Sequence, residues 1–191
     1  SGWNTDGFDL GFPHYTPSPL LGTEQELKDA LKKTREMGGH VAFYINSRLC
    51  NTSFEDEREN VGRNAVMQRD GSLWVESYGA DDVRFASMCI NATEWRERLA
   101  ETVRYLTRDI GADSMYLDQF AMATSVECYH PGHTEHAGDP AAWNQGYEKL
   151  LARMARDYDP DGMALLYEGC SDVFGPYASG QLITTLGGPL L

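Results

Sequence analysis

The sequence predicts an α/β fold: a partial (β/α)8 barrel of the TIM type, with its central strands and helices present and strands missing at both ends. Three observations lead there. Short apolar runs alternate with stretches of helical period, the pattern of a parallel sheet covered by helices. Three of those runs end in a polar residue, at Asn46, Asp118 and Glu168. The long irregular excursions follow strand ends, whereas the returns from helix to strand are short. A doubly wound sheet shares the first observation. The asymmetry of the third supports the barrel, whose site-bearing loops leave the C-terminal ends of its strands. A whole barrel takes about 250 residues and eight strands. This chain has 191 residues and four strand-like runs, so it is read as one unit, residues 1–191, from the middle of a barrel.

The first helix is expected from Thr23 to Met37. Thr23 and Glu26 have the spacing of a capping box, Leu27, Ala30, Leu31, Thr34 and Met37 recur at helical intervals, and Gly38-Gly39 ends the run. Val41–Ile45 then reads as a buried strand ending at Asn46. In the excursion that follows, Asp70-Gly71 between Val66-Met67 and Leu73-Trp74-Val75 signals a hairpin. The second helix runs from about Thr93 to Ile110, with Trp95, Leu99, Val103, Leu106 and Ile110 on one face and Gly111 as its stop. Ser114–Leu117 is a strand ending at Asp118. A third helix, from about Pro140 to Arg156, opens with proline in its first turn and buries Trp143, Tyr147, Leu150, Leu151 and Met154. Beyond the turn at Asp159–Gly162, Met163–Tyr167 is a strand ending at Glu168, and Leu182–Leu186 is a fourth.

Composition removes several function classes. With 16 Lys+Arg against 29 Asp+Glu the formal charge is −13, which excludes a nucleic-acid partner, whose phosphates need a basic patch, and an anionic membrane surface. No apolar run reaches the ~18 residues of a membrane-spanning helix. The opening Ser1-Gly2-Trp3 has neither a starting Met nor a signal-peptide pattern, so the chain is expected to be processed, excised or a fragment. A secreted or periplasmic compartment is slightly favoured. Cys50, Cys89, Cys128 and Cys170 are widely spaced with no CxxC pair, a pattern that disfavours a structural zinc site or a disulfide scaffold. Asn51-Thr52-Ser53 and Asn91-Ala92-Thr93 match glycosylation acceptors, and the second reads better as a helix cap. No GxGxxG, GxxxxGK[ST] or GxSxG motif is present, so dinucleotide, P-loop and α/β-hydrolase chemistries have no anchor.

The sharpest chemical signal is a matched pair: Met115-Tyr116-Leu117-Asp118 and Leu165-Leu166-Tyr167-Glu168 each deliver a carboxylate at the end of an apolar strand. Neighbouring strands lie about 4.8 Å apart, so two carboxyls at one height come within the ~5–9.5 Å that glycoside hydrolysis uses. The aromatic and polar residues around them suit a sugar, which needs flat faces for stacking and side chains for its hydroxyls. Trp3, Asp9 and Tyr15 in the first loop, Asn46 and Arg48 after the first strand, Gln119 after Asp118, and Asp172 after Glu168 are the expected contacts. His130, His133 and His136 recur three apart beside Cys128. At least one of His130 and His133 is a candidate substrate contact, and a metal site there is the minor reading.

Gly2-Trp3…Gly7-Phe8-Asp9, Tyr44-Ile45-Asn46-x-Arg48, Tyr116-Leu117-Asp118-Gln119 and Tyr167-Glu168-Gly169 together resemble the barrel core of bacterial glycoside-hydrolase-like proteins. Those proteins contain a domain of unknown function distantly similar to endo-α-N-acetylgalactosaminidases and α-galactosidases. The resemblance implies Asp118 as nucleophile and Glu168 as acid/base, although the α-galactosidases use an Asp further along in the second role. It also implies accessory β domains and barrel strands outside this stretch.

The expected activity is therefore a retaining glycosidase, without cofactor, acting on a carbohydrate substrate of α-linked galactose type. Its partner would be the missing remainder of its own barrel, and the isolated piece is expected to be poorly soluble or inactive. Two alternatives stay open. One is a metal-dependent barrel hydrolase using His130, His133 and a carboxylate such as Asp118. The other is a non-catalytic carbohydrate-binding barrel.

Overall fold

The computed structural model describes residues 3–77, 83–158 and 164–183. In chain order these form α1 (Glu24–Glu36), β1 (Ala42–Asn46), β2 (Leu49–Asn51), α2 (Arg58–Asn64), β3 (Val75–Glu76), β4 (Phe85–Ser87), α3 (Thr93–Arg104), β5 (Ser114–Asp118), α4 (Ala142–Tyr158), β6 (Ala164–Glu168) and β7 (Gly180–Leu182). The framework is a parallel sheet in the order β1-β5-β6-β7, with α2 and α3 between β1 and β5, α4 between β5 and β6, and a short 3-10 turn at Gly175–Tyr177 between β6 and β7. That is the expected (β/α)8-type arrangement. The excursion after β1 forms a separate antiparallel sheet, β2-β4-β3. The hairpin closes at Gly71 (φ +85), with Met67 paired to Leu73 and the Asp70 carboxylate accepting the Ser72 N–H. Among the described residues no helix is long and apolar enough to cross a membrane.

Strand alternation divides the parallel sheet into two unlike faces. One face carries Phe43, Ile45, Met115, Leu117, Leu165 and Tyr167, all buried beneath the helices. The other carries Tyr44 and Asn46, Tyr116 and Asp118, Leu166 and Glu168, and it is only partly covered in its middle rows. In a barrel this second face looks inward. The register is pinned at the far end of the sheet, where Asp113 accepts hydrogen bonds from the Val41 N–H and from His40. It sets Tyr44 beside Tyr116 and Asn46 beside Asp118.

The helices follow the apolar periods. The capping box forms at Thr23 and Glu26. Leu31 is buried on α1, while Met37, just past the last turn, is exposed rather than part of the stripe. In α3, Trp95, Leu99 and Val103 are buried; the helix continues as a π-helical turn through Leu106 and Ile110 and stops at Gly111 with φ +97. Trp143, Tyr147, Leu150, Leu151 and Met154 bury one side of α4, which packs against α3.

Three expectations need correction. Pro140 stands in the turn before α4 rather than in its first turn, where Asp139 accepts the Ala141 N–H. The last strand begins at Gly180, because its pairing with β6 starts at Leu166; Met163 and Thr184–Leu186 lie outside the described residues. Asn91 does not cap α3: its side chain reaches across to the Ala142 carbonyl, and the capping position is Ala92.

Candidate active site

Three strand ends meet at the C-terminal side of the parallel sheet. Asn46 ends β1, Asp118 ends β5 and Glu168 ends β6. Asn46 pairs with Asp118, and the β5–β6 register runs through Leu117 and Tyr167 to their neighbours Asp118 and Glu168. The two carboxyls come within hydrogen-bonding reach of each other.

Aromatic donors on the helices hold the loops at these ends. The Trp95 indole and the Tyr147 hydroxyl both donate to the Ser47 carbonyl, one residue past β1. The Trp143 indole donates to the Phe120 carbonyl, two residues past β5. The Phe120 ring packs on Tyr147, Tyr167 and Phe174 at centroid distances of 4.7, 5.2 and 5.0 Å. Gly169, at φ +103, turns the chain after Glu168. A Cβ there would stand 2.9 Å from backbone atoms of Ala121 and Met122, so the loops after β5 and β6 touch at this glycine.

Asp118 is 8% exposed. Its Oδ2 accepts from the Tyr44 hydroxyl at 2.8 Å and from Asn46 Nδ2 at 3.3 Å. Burial is the largest influence on its acidity. Tyr44 works in the opposite direction, and the Glu168 hydrogen bond and charge together with the Asp9 charge reinforce burial, leaving the Asp118 pKa pushed up from 3.8 to about 7. Tyr44 also approaches Asp9 Oδ1 at 2.7 Å. A hydroxyl has one proton to donate, so between two carboxylates it satisfies one fully unless the other is protonated. This agrees with a shared proton at the site near neutrality. Burial and these carboxylates push the Tyr44 hydroxyl far above its ordinary pKa, and burial with the Asp118 and Glu168 charges does the same to Tyr116. Both phenols therefore remain donors. Asp9 and Gln119 adopt left-handed backbone conformations, φ +57 and +67, which cost energy in non-glycine residues and cluster where a structure holds functional groups in place.

The other expected contacts divide by environment. Asp9 and Gln119 border Asp118, Gln119 through Asn46, which donates to its Oε1 at 3.0 Å. Asn46 is fully buried; its Oδ1 accepts the N–H groups of Arg48 and Leu49, so it shapes the turn after β1. Tyr15 is 6% exposed, its hydroxyl taking the Asn46 N–H and donating to the Asn46 carbonyl. Trp3 packs on Phe43 and Tyr15 and donates to the Tyr44 carbonyl. Arg48 is buried in a bidentate ion pair with Glu76, itself held by the Trp74 indole. These three side chains fasten the excursion and the first loop to β1 rather than presenting a face to the carboxylates. Asp172 is exposed on the loop after β6. His130 bonds the Gly62 carbonyl and the Gly132 N–H, and His133 turns Nδ1 to Cys128. Neither histidine converges on Asp118, so the metal-hydrolase alternative that combined the three is not assembled. Tyr44 and Tyr116 were not among the expected contacts, although both stand two residues before a strand-end polar group and hence on its face.

Comparison with known proteins adds the wider context. The model of the family described as Domain of unknown function (DUF6259) matches residues 1–185. A Bacteroides thetaiotaomicron protein named "Putative glycoside hydrolase" is 26% identical over 167 residues, covering 87% of this chain and 24% of its own length. One from Monosiga brevicollis with the name "Putative glycoside hydrolase 22789" is 25% identical over 186 residues, covering 92% and 15%. This chain thus spans a quarter or less of these relatives. Among solved structures, the alpha-N-acetylgalactosaminidase NagBb from Bifidobacterium bifidum superposes with a TM-score of 0.71 at 22% identity, covering 93% of this chain and 27% of that one. TtGalA, an alpha-galactosidase from Thermus thermophilus, superposes with a TM-score of 0.59 at 16% identity, covering 81% and 30%. The fold is that of the TIM-barrel glycosidases.

Proposed function

We propose that this chain, which belongs to the DUF6259 family, is the site-bearing part of the catalytic barrel of a retaining glycoside hydrolase, the remaining strands being supplied by the rest of the protein. The observation that carries the reading is the contact of two carboxyls at the ends of adjacent parallel strands, one of them buried with its pKa raised to about 7. Retaining enzymes keep their carboxyls about 5–5.5 Å apart, whereas inverting enzymes leave about 6.5–9.5 Å for a water between them. Side chains close enough to hydrogen-bond support the shorter geometry.

In this reading Asp118 is the nucleophile. Tyr44 and Asn46 both hold Oδ2, which fixes the plane of the carboxylate and leaves Oδ1 to attack the anomeric carbon. The glycosidic C–O bond breaks as the new ester bond forms, and the leaving oxygen takes the proton shared with Glu168. Glu168 then removes a proton from water as that water cleaves the ester, which returns both carboxyls to their starting state. Ionised Asp118 is costly in its buried setting until positive charge develops on the sugar ring, so the electrostatic gain falls in the transition state. Asp9, Gln119, Tyr116 and Asp172 are the proposed substrate contacts. The α-linked galactose type of sugar rests on the motif resemblance at Tyr116–Gln119 and Tyr167–Gly169.

The test uses the full-length protein carrying this chain, with aryl α-galactosides and α-N-acetylgalactosaminides as substrates. Turnover should occur and be abolished by Asp118→Asn, and NMR should detect the α-anomer as first product. Undiminished turnover in Asp118→Asn overturns the catalytic assignment. A β-anomer formed first overturns retention, and sugar binding without turnover by the wild type overturns the hydrolase reading.

A further inference from the structure

A second convergence of reactive side chains lies away from the strand ends. Cys89, just before α3, meets Cys128, His133 and His136 from the excursion between β5 and α4. The four donor atoms all lie within 4.8 Å of one another, with Cys89 Sγ 3.1 Å from His136 Nε2 and Cys128 Sγ 3.3 Å from His133 Nδ1. Zinc with sulfur at ~2.3 Å and nitrogen at ~2.0–2.1 Å in a tetrahedron sets donor atoms about 3.3–3.8 Å apart. The geometry points to a structural Zn2+ site with Cys89, Cys128, His133 and His136 as its ligands.

Three further features support this. Both sulfurs are buried, and neither is in a disulfide. The walls around them include Val66, Ile90, Val126 and Trp143, a low-dielectric setting in which two adjacent thiolates cannot share space without a cation. Backbone N–H groups of Asn91 and Ala92 face Cys89, and those of Met67 and His130 face Cys128, the kind of support that ligating sulfur receives in metal centres. Binding releases one proton from each thiol; the two thiolates then neutralise the dication, and the two imidazoles bind neutral.

The set differs from the other grouping of donors among the described residues, His14, Asp56 and Glu57. There a cation is already in place: Arg98 makes a bidentate pair with Glu57 at 2.7 and 2.6 Å. The cysteine–histidine set has four protein ligands and no position left for substrate, so its role is structural rather than catalytic. It ties the irregular stretch after Gln119 to the turn that begins α3. Around it, Tyr129 N–H bonds the Met67 carbonyl and Gly138 N–H bonds the Cys128 carbonyl. At Gly146 of α4, an added Cβ would meet Ile90 at 2.4 Å, so α4 lies hard against the residues after Cys89.

The experiment is metal analysis of the full-length protein, purified without a polyhistidine tag from zinc-supplied cells. About one zinc per chain is expected, released on titration of the thiols with a mercurial. It should fall below about a tenth in Cys128→Ser and His133→Asn, and persist in His130→Asn, which alters the same loop outside the ligand set. Cobalt substituted into the wild type should show the intense visible bands of a tetrahedral ion with thiolate charge transfer in the near ultraviolet. Where a variant does not fold, the wild-type cobalt spectrum and thiol-linked zinc release decide. Wild-type protein without zinc, a Cys89–Cys128 disulfide in its place, zinc unaffected by Cys128→Ser, or cobalt without thiolate bands each overturns the site.

Discussion

The carboxylate pair and the cysteine–histidine cluster both gather side chains that are far apart in the chain, yet they are built by opposite means. Asp118 and Glu168 occupy matching ends of regular strands, and sheet register delivers them to each other. Cys89, Cys128, His133 and His136 come from irregular segments, and only the way those loops pack brings the donors within 4.8 Å. Regular structure converts sequence position into spatial position, because every strand advances by a fixed rise and alternates its faces. Loops provide no such conversion. A wide spacing of cysteines therefore argues against a zinc motif of local type, and it says nothing about a site assembled by tertiary contact.

The contrast can be broken first at the strand ends. Asp118→Asn in the full-length protein is expected to lower kcat/KM by at least about 10³-fold, since nucleophilic catalysis disappears with the charge. Steady-state kinetics on an aryl glycoside checks this, and near-normal turnover would demote the pair to a structural feature. A smaller loss is expected from Gly169→Ala. The added methyl meets backbone of Ala121 and Met122 at 2.9 Å and also strains a φ of +103. Displacing the loop after β5 by about 1 Å should cost about 10²-fold in turnover, with circular dichroism unchanged. Tyr44→Phe tests the electrostatics more finely. Tyr44 donates to Asp118 and holds its pKa down, so its removal should move the acidic limb of the pH–rate profile upward by about one unit. A limb that stays in place would show that Tyr44 does not tune the group that limb reports.

Legibility in the sequence follows the same divide. The capping box at Thr23, the buried stripe of α3, the glycine stop at Gly111 and the polar strand ends were readable because each rests on a short fixed spacing. Tyr15 and Arg48 have residue types that suit a sugar site, but the structure uses their polar groups to secure backbone and an ion pair close to β1. Nothing local separates those uses. The seven-residue α2 and the strand pairing of the small sheet were not read either, since their partners lie across the whole excursion. Tyr44 could have been found: once Asn46 was placed at a strand end, alternation alone put Tyr44 on the same face.

The smallest effect discriminates best between a site held by register and one held by a cation, because it concerns stability rather than turnover. The folded chain raises the Asp118 pKa from 3.8 to about 7, so between those values the native state holds a proton that the unfolded state releases. Stability from this group is complete below about pH 4 and is lost as the pH rises through about 7. The amide that Asp118→Asn introduces does not titrate and makes no such contribution. The melting temperature of that variant should match the wild type near pH 4 and exceed it by a few degrees at pH 8. The thiolate cluster should behave differently, since acid protonates the ligands and releases the metal: Cys128→Ser should lag behind the wild type most at pH 8 and least at pH 5. Parallel melting curves for Asp118→Asn and wild type across the whole range would mean that Asp118 is not held as a buried acid. The register argument would then lose its electrostatic half.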